Sequence, residues 1–134
     1  MTELDEALQA AKEDNSQANF FYDAFLNAEV FFPALKADKK PGEWARLSHK
    51  ERFFPLYLTH GETRAVPVFD TIERMKAWAG EKAFDYLVLQ SHLLLRVIAP
   101  EISIILNEGT EHRYLFTPEI LERLRQAMKP VQPQ

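Results

Sequence analysis

Residues 64–80 read RAVPVFDTIERMKAWAG, and the fold turns on how this stretch changes its period. From Arg64 to Phe69, β-branched and aromatic residues predominate, which is the composition of a strand. Asp70 then predicts a helix cap, with Glu73 three residues on at the capping-box position. Ile72, Met75 and Ala79 follow at helical spacing until Gly80, a helix stop. The same alternation continues: an apolar run at 84–90 predicts a strand, Ser91 to Ile98 a short helix ended by Pro100, and 102–106 another strand. Strand, helix, strand, helix, strand implies right-handed crossovers and parallel neighbours.

Upstream of this stretch, 54–59 and 64–69 flank His60-Gly61-Glu62-Thr63 and predict a hairpin with a four-residue loop. Pro55 and Pro67 remove ladder donors from its arms, so each is expected at a sheet edge, a strand end or a bulge. Leu4, Ala7, Leu8 and Ala11 predict an amphipathic helix over 3–14, with Thr2 as cap and Asp5 and Glu6 in the first turn. Asn15 and Ser16 interrupt it ahead of a second helix over 17–27, whose apolar stripe is Phe21, Phe25 and Leu26 with Ala18 and Tyr22 beside them. Val30-Phe31-Phe32 reads as a covered strand bounded by Pro33. Downstream, Asn107-Glu108-Gly109-Thr110 turns, Tyr114-Leu115-Phe116 returns, and Thr117-Pro118 opens a last helix with Ile120, Leu121, Leu124 and Met128 inward. Residues 130–134 are expected to fray. The hairpins demand antiparallel pairs and the crossovers parallel ones. The expected fold is therefore α/β in the α+β sense: a single domain over 1–129, with a mixed parallel and antiparallel sheet and helices packed on it.

Composition closes many chemistries. The 134 residues include no cysteine, so disulfides, thiolate nucleophiles, zinc–thiolate knots and iron–sulfur clusters are excluded. The four histidines, His49, His60, His92 and His112, lack the close helical spacing of simple metal sites. His49, His60 and His112 fall in predicted polar loops and are expected to be solvated, and no metal or other cofactor is expected. Ser91-His92 lacks the glycines of a strained nucleophile elbow, and Asp85, Glu101 and Glu108 are scattered as on any acidic surface. Only four glycines occur, each isolated, so no loop can cradle a phosphate. The expectation is a protein that is not an enzyme. The acidic N-terminus leads into no apolar run, and no stretch approaches the length of a membrane span, so a cytoplasmic location is expected.

Charge is segregated along the chain. Residues 1–29 hold seven acids against Lys12 alone, a net −6. From 36 to 52, Lys36, Lys39, Lys40, Arg46, Lys50 and Arg52 stand against Asp38, Glu43 and Glu51, a net +3. Residues 34–52 are expected to form a long basic loop or insertion, partly helical near 43–51. Trp44 sits in this most polar part of the chain, where it either folds back as a plug into the core or marks a contact surface. Trp44, Lys39, Lys40, Arg46, Lys50 and Arg52 are accordingly the candidate interaction surface. Charge interleaved with aromatic rings would also suit nucleic acid, but a pI near 5.6 argues against it. A protein partner, or a second copy paired through sheet edges as a dimer, is the expected occupant.

Taken together, four stretches resemble one family. The aromatic helix and strand from Asn19 to Pro33, Ala65-Val66-Pro67-Val68-Phe69-Asp70-Thr71 with Met75-Lys76-Ala77-Trp78-Ala79, Ile105-Leu106-Asn107-Glu108-Gly109, and Leu115-Phe116-Thr117-Pro118-Glu119-Ile120 are similar, in this order, to motifs of the SseB (enhanced serine sensitivity) N-terminal domain family. Glu108 stands where the family usually has proline, and the loop 34–52 is longer than is typical. Full-length members of that family carry a second, C-terminal domain, for which no counterpart is expected here. The resemblance implies a bacterial α/β domain without established catalytic residues, and therefore a non-catalytic protein-interaction or regulatory role. The family name suggests an alternative, a small-ligand sensor related to amino acids.

Overall fold

A computed structural model describes residues 1–36, 45–46, 53–80 and 85–128. Helix α1 (Glu3–Glu13) begins as its sequence requires: the Thr2 hydroxyl accepts from the Asp5 N–H and the Asp5 carboxylate accepts from the Thr2 N–H, a reciprocal capping box. Asp14 ends it and accepts from the Ser16 N–H, opening a 3-10 turn at Asn15–Gln17 that leads into α2 (Ala18–Asn27). Strand β1 (Glu29–Lys36) follows, then β2 (Ala45–Arg46), β3 (Phe53–Pro55), β4 (Leu58–His60) and β5 (Thr63–Val68). Helix α3 (Ile72–Ala79), β6 (Asp85–Gln90), α4 (Ser91–Val97), β7 (Ser103–Leu106), β8 (Tyr114–Phe116) and α5 (Pro118–Met128) complete the order. No helix among the described residues is long and apolar enough to cross a membrane.

The mixed α+β architecture is as expected, but the strands divide into two four-stranded sheets, β2-β6-β1-β3 and β4-β5-β7-β8. In the second, β5 and β7 are parallel, with β4 and β8 antiparallel on the outside. The middle strand of the expected parallel run, β6, leaves this sheet and pairs antiparallel with β1. The expected hairpin is divided in the same way: 53–55 join β1, and only 58–60 pair with β5, across a two-residue turn in which Gly61 has φ +65°. Paired Phe31 and Phe69 backbones, each N–H donating to the other carbonyl at 2.8 Å, tie the sheets together.

The prolines explain where the ladders break. Phe31 faces Phe69, and the Pro33 carbonyl accepts from Leu56 N–H, so odd positions of β1 point away from β6. Pro33 thus withholds a donor the β6 ladder does not need. The strand runs on through Ala34, Leu35 and Lys36 instead of ending there, and the expected loop starts later. Pro55 ends β3, as expected. In β5 the Val68 carbonyl turns toward β7 and accepts from Asn107 N–H, so Pro67 turns the other way, past the last β4 pairing at Ala65.

Period-two alternation sets the core. Val30, Phe32 and Ala34 of β1, Val66 and Val68 of β5, Ile104 and Leu106 of β7 and Phe116 of β8 are buried against Leu4, Leu8, Phe21, Phe25, Leu94, Leu95, Leu121 and Leu124 from four helices. Phe25 stacks on Phe116 at 4.1 Å between centroids. Burial, together with the Tyr22 hydroxyl 3.1 Å away, raises the Tyr114 pKa. On the opposite side α3 covers Phe69, with Met75 buried and the Trp78 ring 5.5 Å from that of Phe69. Thr71, not Asp70, caps α3, its hydroxyl accepting from Arg74 N–H. Asp70 is thereby left for a different bond.

Candidate functional site

Of the expected contact surface, Trp44, Lys39, Lys40, Lys50 and Arg52 lie outside the described residues, as does His49. Arg46 is in β2, paired in parallel with Tyr86 at the edge of the first sheet. The described residues bring together three other polar or concave places.

The first is an ionic clasp. Arg74, on the first turns of α3, donates from Nη1 and Nη2 to the two carboxylate oxygens of Asp5 at 2.7 and 2.5 Å, and from Nη1 to Asp70 at 2.8 Å. The Thr2 hydroxyl donates to Asp70 at 2.5 Å, and Asp70 N–H donates to Asn107 Oδ1 at 3.1 Å. Asp5 is only 1% exposed, so burial pushes its pKa up; the Arg74 hydrogen bonds, the Thr2 N–H and the charges of Arg74 and His112 outweigh that and hold it at about 2. The Asp5 hydrogen bond raises the Arg74 pKa more than burial lowers it. His112, expected to be solvated, is drawn in, with 16% exposure and Nε2 at 3.8 Å from Asp5. Asn107 is fully buried at φ +54°, and its Nδ2 has no hydrogen-bond partner among the described residues. Pairs of this kind hold α1, α3 and the turn after β7 in register, with the Asp5 and Asp70 carboxylates closed off by Arg74.

The second place is a groove of about 300 Å³ between α2, α4 and the end of α5, lined by Asp23, Leu26, Asn27, His92, Arg96 and Met128. Phe20, three and seven residues before Asp23 and Asn27 on the same stripe of α2, is 68% exposed, and Val97, beside Arg96 on α4, is 64% exposed. Leu93, four residues before Val97, is exposed too. His92 Nε2 is 2.8 Å from Gln90 Oε1, while Asp23 and Arg96 have no ion-pair partner among the described residues. Helical phase could have found half of this: Phe20 lies off the stripe of Phe21 and Phe25 that the sequence sends inward. That α2 and α4 lie side by side is tertiary and leaves no local signal.

The third is a hollow of about 290 Å³ on the outer face of the second sheet, walled by β5, β7, β8 and the start of α5. Its floor and rim include Ala65, Ser103, Ile105, Leu115, Arg113 and Glu119.

No characterised protein and no solved structure matches the chain. The sequence model of the SseB protein N-terminal domain matches residues 4–123, a span that contains the sheet hollow, Asp5, Asp70 and Arg74 of the clasp, and Asp23, His92 and Arg96 of the helical groove. A match over nearly the whole chain, in a mixed α+β domain whose strand-to-helix stretch and Asn107 turn occupy the places expected of them, makes this protein a member of the SseB N-terminal domain family.

Proposed function

We propose that this chain is a non-catalytic protein-interaction domain, and that it engages a partner through the α2–α4 face. The observation that carries this is the exposure of Phe20 on α2 and of Leu93 and Val97 on α4, the two helices that wall a groove whose Asp23 and Arg96 have no ion-pair partner among the described residues. Large apolar side chains left in water cost free energy that burial against a partner recovers, at about 25 cal/mol per Å² of apolar surface. Flanking charges of both signs then select and orient the partner. The fitting occupant is an amphipathic segment of another protein that presents apolar anchors between an acidic and a basic side chain. Support for a non-catalytic role comes from the clasp, where the Asp5 carboxylate, held at a pKa of about 2, is closed off by Arg74.

The test is affinity capture from the source cell in parallel for the wild type, Val97→Asp and a control charge change at Glu62, on the β4–β5 turn. A defined partner captured by wild type and the Glu62 variant but lost with Val97→Asp, and protecting α2 and α4 amides from hydrogen exchange when added back, supports the reading. Partners indifferent to Val97→Asp overturn it.

A second reading, a small-ligand sensor, is favoured by the sheet hollow. Two small residues, Ala65 and Ser103, stand as register partners on its floor, where larger side chains would fill the space.

A further inference from the structure

The parallel pair β5 and β7 alternates strictly: Val66, Val68, Ile104 and Leu106 enter the core, so Ala65, Ser103 and Ile105 project from the other face. On that face Ala65 and Ser103 are register partners, and Ile105 pairs with Leu115 of β8. Two small side chains beside two large ones leave a step, and the hollow of about 290 Å³ lies on it, near the lower limit of roughly 300 Å³ for small-molecule sites. Ser103 is 1% exposed and its hydroxyl has no hydrogen-bond partner among the described residues. The hydroxyl lines the cavity and is open to whatever occupies it, as donor or acceptor. The apolar floor gives such a group no internal substitute.

The rim carries the charge preference. Arg113 donates from Nε to Glu108 at 2.7 Å, so its charge is already balanced. Glu119, in the first turn of α5, has no ion-pair partner among the described residues. The Thr117 hydroxyl accepts from Ile120 N–H, and Pro118 has no N–H, which leaves little of the helix start free to attract an anion. The rim charge without an ion-pair partner among the described residues is therefore negative.

We propose that this hollow binds a small alkylamine carrying a second hydrogen-bonding group: its ammonium sits at Glu119, its short alkyl stem covers Ala65, Ile105 and Leu115, and its far polar group bonds to Ser103. The inference rests on the small-ligand reading and assigns that reading a chemical class. An anion would meet Glu119, and a purely apolar guest would leave Ser103 unpaired.

The experiment titrates 4-amino-1-butanol, n-butylamine, 1-butanol, butyrate and 2-aminobutyrate into the full chain at neutral pH, following backbone amide shifts of β5, β7 and β8. The expected order is 4-amino-1-butanol, then n-butylamine, then 1-butanol, with butyrate not binding. Glu119→Gln is expected to weaken the amines about tenfold while leaving 1-butanol unchanged, since it removes one charge-assisted hydrogen bond. Ser103→Val should fill the step and abolish binding; Glu119→Gln, at an exposed helix start, keeps the test valid if the valine variant fails to fold. Stronger binding of 2-aminobutyrate or butyrate than of the amines overturns the amine class while leaving the small-ligand reading in place. No shift with any of the five overturns both.

Discussion

The clasp at Asp5, Asp70 and Arg74 and the groove at Asp23, His92 and Arg96 contain the same kinds of side chain and behave in opposite ways. In the clasp every charge meets its opposite at 2.5 to 2.8 Å and two carboxylates are nearly out of water. Along the groove, Asp23 and Arg96 have no ion-pair partner among the described residues, and apolar Phe20 and Val97 stand exposed on the same helices. Charges satisfied within the chain fix its own elements relative to one another. Charges left unsatisfied next to exposed apolar surface are free to be satisfied by something else. The comparison can be broken by mutations that should be severe on one side and nearly silent on the other.

The largest effect is expected from Arg74→Ala. It strands two buried carboxylates, and breaking a buried pair from one side costs about 3 to 5 kcal/mol. Thermal unfolding followed by circular dichroism should show Tm lower by roughly 10 °C or more. A Tm within a degree or two of wild type would mean that the clasp does not hold the fold.

Acid should reach the same pair. The folded pKa of Asp5, about 2, lies below its ordinary value of 3.8, so the stabilisation is complete above pH 4 to 5 and is lost as pH falls from there through about 2. The loss is on the order of 2 kcal/mol, and urea midpoints measured between pH 5 and pH 2 should fall accordingly. In Arg74→Ala this part of the acid sensitivity should shrink markedly, because only the Thr2 N–H and His112 are then left to hold the carboxylate ionised; an unchanged slope would assign it to other groups.

Asn107→Ala removes the acceptor for Asp70 N–H and puts a residue with less tolerance for φ +54° at the turn, but it also deletes the unpartnered Nδ2. The opposing terms leave a net cost of about 1 kcal/mol, measurable as a shift in the urea midpoint with an unchanged m-value. The smallest change in stability is expected on the other side of the comparison. Phe20→Ser should alter the unfolding free energy by no more than about 0.5 kcal/mol, since the ring is already in water. Its effect should appear in partner capture instead. A strongly destabilised Phe20→Ser would show that this ring packs, and the contrast with the clasp would collapse.

Local chemistry was legible wherever a few neighbouring residues decide the outcome. The Thr2 capping box, the Thr117-Pro118 helix start, the Gly80 stop and the inward stripe of Phe21 and Phe25 all follow from side chains acting on backbone within one turn. Pro55 at a strand end and Pro67 beyond the reach of β4 follow from the missing N–H. The four family motifs rest on the same kind of local pattern. For the candidate sites the yield was lower. The exposed position of Phe20 is implied by helical phase, and the Asp70–Arg74 pair by i,i+4 spacing, but the sequence reading used Asp70 as a cap because Thr71 could not be seen to win that place.

Tertiary structure decided the rest. Pairing is chosen by which backbone edges become available once helices cover a face, and a strand's own residues do not encode its neighbour. That is why β6 left the parallel run for β1, and why the 54–59 arm divided between two sheets bridged at Phe31 and Phe69. Asp5 and Arg74 are 69 residues apart, and their bond exists because α1 and α3 dock on adjoining surfaces. His112 reaches Asp5 for the same reason. The groove and the hollow are spaces between elements, and space has no letter in a sequence. Composition and period determined which faces must be buried; the packing of those faces against each other determined which charges were closed together and which were left open.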